Sequence, residues 1–315
     1  MVAKINSNID QREIATDLHA RPCPACESVS SNRMGDKGGF DWLRCLSCGT
    51  LYVSALPHAT SRMHYETGGY YNDENLNVPG FVTSRLEEIV NSFASYRQSN
   101  RFLDVGCGAG TLLSVANQAG WNAEGVELSI PTVDILRKQG LQVFPGELAQ
   151  AKFPEGHFDV VTAAELIEHV PDPSSLIAEV ARVLRPGGIF WGTTPHSHGA
   201  SGRVLKLKWS IVSPPEHLHL FSVRGMAALL ARHGFQRIKV KTEGLTAGEL
   251  MGAFRSRAQA GDGAAIANGH QRVQADYKLN ETLLLNRRRR MIKNAANTVL
   301  RASRTGDFLK VWAER

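Results

Sequence analysis

Apolar and polar positions change their spacing several times along the chain. PGFVTSRLEEIVNSFASYRQ has helical spacing, with Pro79 placed to open the helix. RFLDVGCGAGTLLSVANQAG follows as a short apolar strand, a glycine turn and a helix that Gly120 ends. The rhythm then repeats. WNAEGVELS reads as a second strand and LQVFPGELAQ as a third. HFDVVTAAELIEHV holds a fourth, and DPSSLIAEVARVLRPGGIFWGTTP a helix, a Pro-Gly-Gly turn and a fifth. GFQRIKVKT supplies a sixth strand and GDFLKVWAER a last one. Strands alternating with helices predict an α/β fold with a doubly wound, Rossmann-like sheet. Ligands of such sheets bind beyond the carboxyl ends of the strands, where a glycine turn and its helix present backbone N–H groups.

Before residue 79 the texture differs. CPAC and CLSCG pair Cys23 with Cys26 and Cys45 with Cys48, in the spacing C-x2-C-x18-C-x2-C. Two residues between thiolates let both sulfurs reach one ion across a tight turn, and two such turns complete a tetrahedron. Gly49 after the second pair suits a knuckle that needs positive φ. The four sulfurs predict a closed, structural zinc site within a small N-terminal zinc ribbon. WLRCLSCGTLYV reads as strand, knuckle and strand. HYETGGYYNDENLNVPG then reads as a loop or lid, with Tyr65, Tyr70 and Tyr71 either packing over a ligand or anchoring a linker.

The chain has 315 residues, enough for one large domain with additions or for two domains. Its 43% hydrophobic and 21% charged residues are ordinary for a globular protein. There is no apolar run of transmembrane length, and MVAKINSNIDQREIATD holds no apolar signal-type stretch, so a cytoplasmic location is expected. The net charge of +6 is less telling than its distribution. From Arg287 to Arg304 there are seven Lys or Arg and no acidic residue, a block that can face phosphate, an anionic lipid at the inner membrane face, or water.

LDVGCGAG, GVELS, FDVVTAAELIEHV and LRPGGIF, in that order, resemble the successive motifs of class I S-adenosylmethionine-dependent methyltransferases. The resemblance spans roughly residues 80–243 and implies a seven-stranded sheet whose last strand is antiparallel. It places Asp104 near the methionine amino group, with Gly106, Gly108 and Gly110 allowing close approach. It gives the ribose to Glu127, with Leu128 beside it, and sets Glu147 and Leu148 along the adenine and Glu165 against the cofactor backbone. A nicotinamide dinucleotide would call for G-x-G-x-x-G, whereas Gly106, Gly108 and Gly110 follow G-x-G-x-G and suit a cofactor without phosphates. Cys107 reads as a small buried filler rather than a nucleophile.

The stretch AELIEHVPDP lies just past the fourth strand, on the rim facing the methionine end of the cofactor. If helical, it brings Glu165, Glu168 and His169 together at i, i+3 and i+4. Three readings stand. His169 is a general base for a hydroxyl acceptor. Or the three residues hold a divalent cation: the spacing resembles ubiquinone-pathway O-methyltransferases, and that likeness implies magnesium there. Or Glu168 and His169 merely cap and solvate a turn. SPPEHLHLFS adds His217 and His219, which point opposite ways if extended, and TTPHSHGA adds His196 and His198 on the same rim. A zinc site built from these four histidines lacks a helical or knuckle spacing.

Four segments result: a zinc-ribbon module with its Tyr-rich linker (1–78), the methyltransferase core (79–243), a basic helical insertion (244–305) and a final strand of the core (306–315). The insertion reads as a cap or dimer contact, or as a surface for anionic membrane or phosphate. The expected activity is methyl transfer to a hydroxyl of a small molecule or of a glycan intermediate, with His169 or His217 taking the proton beside Glu168. The zinc module together with the core resembles bacterial methyltransferases that modify sugars. The alternatives are a nucleic-acid methyltransferase using the basic segment, which carries no RNA-module signature, and a non-catalytic scaffold that retains the fold.

Overall fold

The computed structural model describes residues 18–57, 80–246, 248–250 and 287–315. The Tyr-rich segment with Tyr65, Tyr70, Tyr71 and Pro79 lies outside them, as does most of the insertion.

The N-terminal part holds five short strands: β1 (Leu18–Ala20), β2 (Ser31–Lys37), β3 (Phe40–Cys45), β4 (Leu51–Val53) and β5 (Ala55–Pro57). Helix α1 (Gly80–Asn91) leads into the repeated units. These are β6 (Arg101–Val105), α2 (Thr111–Gln118), β7 (Asn122–Glu127), α3 (Ile130–Lys138), β8 (Gln142–Pro145), β9 (Phe158–Ala164), α4 (Pro173–Val183) and β10 (Leu184–Pro195). The remainder is α5 (Ala200–Leu205), β11 (His219–Leu220), α6 (Val223–Arg232), β12 (Gln236–Glu243), α7 (Arg287–Ala302) and β13 (Phe308–Glu314).

Seven strands form the main sheet in the order β12-β13-β10-β9-β6-β7-β8. The strands β10, β9, β6, β7 and β8 pair in parallel, while β13 runs antiparallel to both β10 and β12. Central strands of a parallel sheet are covered on both faces, so they read as unbroken apolar runs. Accordingly Phe102, Leu103, Val160 and Val161 are fully buried. The helices begin where the sequence supplies caps. The Asp172 carboxylate accepts the Ser175 N–H before α4, with Pro173 at the first turn, and Ser129 and Ser222 do the same for α3 and α6. Chain order reverses at β6, which has β7 on one side and β9 on the other. The carboxyl ends of β6 and β9 therefore flank the crevice where such sheets bind ligands.

The ribbon is less separate than its sequence suggests. Strands β2, β3 and β4 form one small sheet, and β11, from the far side of the core, closes its edge beside β4. Phe40, Trp42 and Val53 of the ribbon pack with Trp209, Val212 and Leu218. Cys23, Cys45 and Tyr52 join the main core beside Phe221, Met226 and Leu229. At the opposite edge, α7 lies along β12. The Thr242 hydroxyl donates to Leu300 O, and the Arg301 guanidinium meets Glu243 at 2.8 Å. This contact lies at the last residues of the strand, which are buried. Among the described residues, no helix is long and apolar enough to cross a membrane.

Candidate active site

The crevice starts at the end of β6. Gly106 and Gly110 both take positive φ, and Gly110 stands at the N-terminus of α2. A Cβ at Gly106 would lie 2.8 Å from Leu166, and one at Gly110 would lie 2.7 Å from Leu136, so both conformation and space demand glycine there. Cys107 is buried, and its sulfur fills the space behind Gly125. The Glu127 carboxylate at the end of β7 ties the turn together. One oxygen accepts the Gly108 N–H and the other the Ser129 N–H, each at 2.9 Å. Each oxygen keeps a further lone pair with which to accept a hydroxyl.

Asp104 is 4% exposed, and its Oδ1 accepts the Thr162 hydroxyl at 2.7 Å. Burial pushes its carboxyl up to about 7, with Glu127 adding repulsion and the Thr162 bond acting against the rise. A bound ammonium group would relieve that cost. Leu128 is half-buried at the end of β7. The Glu147 side chain caps its own short helical turn, and Leu148 is buried in the main core.

On the rim, residues 165–169 form no helix. Glu165 takes φ +49° and donates its N–H to Thr193 O, and a tight turn over 167–169 follows. Pro171 then disfavours helix in the residue before it. The turn still keeps the three residues in contact, the Glu165 side chain meeting Glu168 and its backbone meeting the His169 ring. Glu165 is exposed on the rim, whereas Glu168 is buried. His169 also stands against His217, the ring centroids 4.6 Å apart. Glu168, His169 and His217 each offer a donor atom to one point, all within 4.8 Å.

Hydrogen bonds set the chemistry of this group. His169 Nδ1 meets Glu216 O at 2.8 Å, and His217 Nδ1 meets Ile211 O at 2.5 Å. A carbonyl only accepts, so both Nδ1 atoms carry the proton. Glu168 accepts the Thr194 hydroxyl on Oε2 at 2.9 Å, while its buried Oε1 has no hydrogen-bond partner and lies 3.8 Å from His169 Nε2. Burial raises the Glu168 carboxyl, and neighbouring Glu165 adds to the rise. Burial and the adjacent His217 push His169 down to about 3. The imidazole of His169 is therefore uncharged at neutral pH.

The remaining histidines serve other ends. His219 is buried, with Nε2 on Ile167 O at 2.8 Å and Nδ1 facing Arg21. His196 is buried against Gly306 O, and its ring stacks on His198 at 6.1 Å. Among the described residues, the groups able to hold a metal ion include neither His196 nor His198.

The four knuckle sulfurs converge within 4.8 Å. Cys23 and Cys48 lie 3.6 Å apart, and Cys26 and Cys45 3.5 Å. A tetrahedral ion with Zn–S bonds of ~2.3 Å requires sulfurs about 3.8 Å apart, so the donor set fits zinc. Both knuckles turn alike, with Glu27 N donating to Cys23 O and Gly49 N to Cys45 O, and Gly49 takes φ +85°. Sequence reasoning missed Thr162, Thr194 and Leu166, which hold the acidic and glycine positions. A threonine or leucine at a strand end carries no signal of its own.

A family profile described as a methyltransferase domain matches residues 79–240. The ubiquinone biosynthesis O-methyltransferase of Bordetella avium is 37% identical over 116 residues, covering 34% of this chain and 47% of that protein. The protein of the same name from Methylococcus capsulatus is 40% identical over 103 residues, covering 30% and 44%. The chain thus spans less than half the length of these curated relatives. Among solved structures, phosphoethanolamine N-methyltransferase 2 of Haemonchus contortus, in complex with S-adenosyl-L-methionine, aligns with a TM-score of 0.51 at 19% identity. That alignment covers 87% of this chain and 64% of that one, and at this identity it bears on the fold alone. With the profile matching half of its length and the glycine turn at the switch point of a seven-stranded sheet, the chain belongs to the methyltransferase domain family, in its class I, S-adenosylmethionine-dependent form.

Proposed function

We propose that this protein moves a methyl group from S-adenosylmethionine to a hydroxyl of a small molecule or a glycan intermediate. One observation carries the choice of a hydroxyl: the imidazole pair, His169 and His217, set beside buried Glu168 on the rim. The cofactor supplies an electrophilic methyl on a sulfonium. Asp104 takes its ammonium group, and Glu127 takes its ribose while holding the glycine turn in shape. The rim residues align the acceptor oxygen with the methyl, which is most of what an in-line displacement requires. His169 Nε2 or His217 Nε2 accepts the hydroxyl proton beside Glu168. The likeness to O-methyltransferases supports this reading. Cys23, Cys26, Cys45 and Cys48 hold a structural zinc.

A second reading has its own support. The partnerless Glu168 Oε1 and two imidazoles with Nδ1 fixed on carbonyls are the pattern by which ligands to a divalent cation are oriented. Such an ion would polarise the acceptor hydroxyl. Incubating the full chain with labelled S-adenosylmethionine and a host metabolite extract tests the activity. His169→Ala is expected to keep its affinity for S-adenosylhomocysteine and lose at least tenfold in turnover on whichever metabolite is labelled. Unchanged turnover would remove His169 from the chemistry. Loss after EDTA that returns with magnesium, on zinc-loaded protein, would favour the cation.

A further inference from the structure

We infer that Arg21 is a positioning residue through which the thiol knuckle holds the imidazole pair in register. The inference rests on the reading above, that His169 and His217 manage the acceptor proton. Arg21 sits two residues before Cys23, and its guanidinium spans three pieces of chain. Nε donates to Val53 O of the ribbon at 3.2 Å. Nη1 donates to Pro171 O, two residues beyond His169, at 3.2 Å. Nη2 donates to Leu218 O, next to His217, at 3.2 Å, and lies 3.3 Å from His219 Nδ1.

The pattern fixes a tautomer. A guanidinium only donates, so His219 Nδ1 accepts, and its Nε2 carries the proton given to Ile167 O at 2.8 Å. Arg21 therefore grips the turn that bears His169 on both sides, at Pro171 directly and at Ile167 through His219. It grips the segment that bears His217 at Leu218. The Leu218 N–H closes the loop by donating to Glu168 O at 2.9 Å.

Two features tie this fork to the knuckle rather than to the core alone. Val53 belongs to the ribbon strand that pairs with β11, and the Arg21 guanidinium lies 5.8 Å from the ring centre of Tyr52 on the same strand. Loading the knuckle thus fixes the backbone that holds Arg21. The planar fork matters: a lysine ammonium is a point donor and cannot reach both rim segments at once.

The test needs no acceptor. Full-length protein is loaded with cobalt(II) at the knuckle, whose thiolate charge-transfer band reports the site. Affinity for S-adenosylhomocysteine is measured by calorimetry, the imidazole signals of labelled histidine by NMR, and amide exchange by mass spectrometry. For Arg21→Ala the expected result is an unchanged band and an affinity within twofold of the parent. The His169 and His217 signals shift, and exchange at the His169 and Leu218 amides is at least tenfold faster. Arg21→Lys recovers part of both changes. Stripping the metal from the parent protein reproduces them. Unmoved imidazole signals and exchange in Arg21→Ala, or after metal removal, overturn the inference. If Arg21→Ala does not fold, Arg21→Lys and the stripped parent decide by the same criteria. None of these readouts uses turnover, so their failure is distinct from failure of the His169→Ala assay.

Discussion

Asp104→Asn separates what this site costs from what it does. In the folded chain the carboxyl keeps its proton up to about pH 7 rather than 3.8, chiefly because of burial. The unfolded chain releases it near 3.9. Folding therefore takes up a proton between those values, and the sign follows: stability falls as pH rises from about 4 to 7 and is flat above. Three pH units at ~1.36 kcal/mol each amount to about 4 kcal/mol lost above pH 7, and about 2 kcal/mol at pH 5.5. Asparagine removes the titration and still offers Thr162 an oxygen. It adds an amide NH2, whose burial costs about 1–3 kcal/mol if unpaired, but that offset does not change with pH. Urea unfolding of the zinc-loaded, cofactor-free chain should show the variant gaining on the parent by about 2 kcal/mol between pH 5.5 and 8.5. Calorimetry should show S-adenosylhomocysteine binding lost. A difference that stays constant or shrinks as pH rises would refute the reasoning. So would retained binding.

Glu127→Gln presents one acceptor oxygen where two backbone donors need one each, leaving the Gly108 or Ser129 N–H without its carboxylate. Hydrogen bonds to a charged group are worth ~1.5–3 kcal/mol, so the dissociation constant for S-adenosylhomocysteine should rise at least tenfold in calorimetry. Burial holds His196 at about 4 and His169 at about 3, below the unfolded value of ~6.5. Stability from these neutral rings is complete above pH 6.5 and is lost as pH falls towards the folded values. His196→Asn should flatten urea-derived stability between pH 6 and 4 by about 1 kcal/mol per pH unit. Metal analysis should find one zinc per chain, and Cys45→Ser should lose it and lower the midpoint of thermal unfolding.

Much of the architecture was legible because parallel strands and glycine turns leave dense signals. FLDV, GCGAG and TLLSVANQAG each dictate local structure without help from elsewhere. The paired cysteines were legible for the same reason, since two residues of spacing already bring two sulfurs together. The rim was harder. Helical spacing aligns Glu165 with His169, but the backbone at Glu165 is left-handed instead, and no residue type announces it. His169 also meets His217, which comes from a separate segment and depends on strand register. Two residues, His219 and Leu220, make up β11, too few for a period to show. Arg21 was invisible because it binds carbonyl oxygens, which every residue has.

Two-residue β11 also sets a timetable. Its partner strand β4 leaves the ribosome early, yet Arg21 must wait for His219, 198 positions later, before its fork is filled. At ~5–20 residues per second that delay is roughly 10–40 s. During it, a nascent chain can capture its ion while one flank of β4 stays bare. An unpaired flank of this kind invites pairing with another chain. Crowded polysomes should therefore be where this protein is most prone to aggregate, and a chaperone that shields the half-made ribbon should raise yield more than one acting on the released chain.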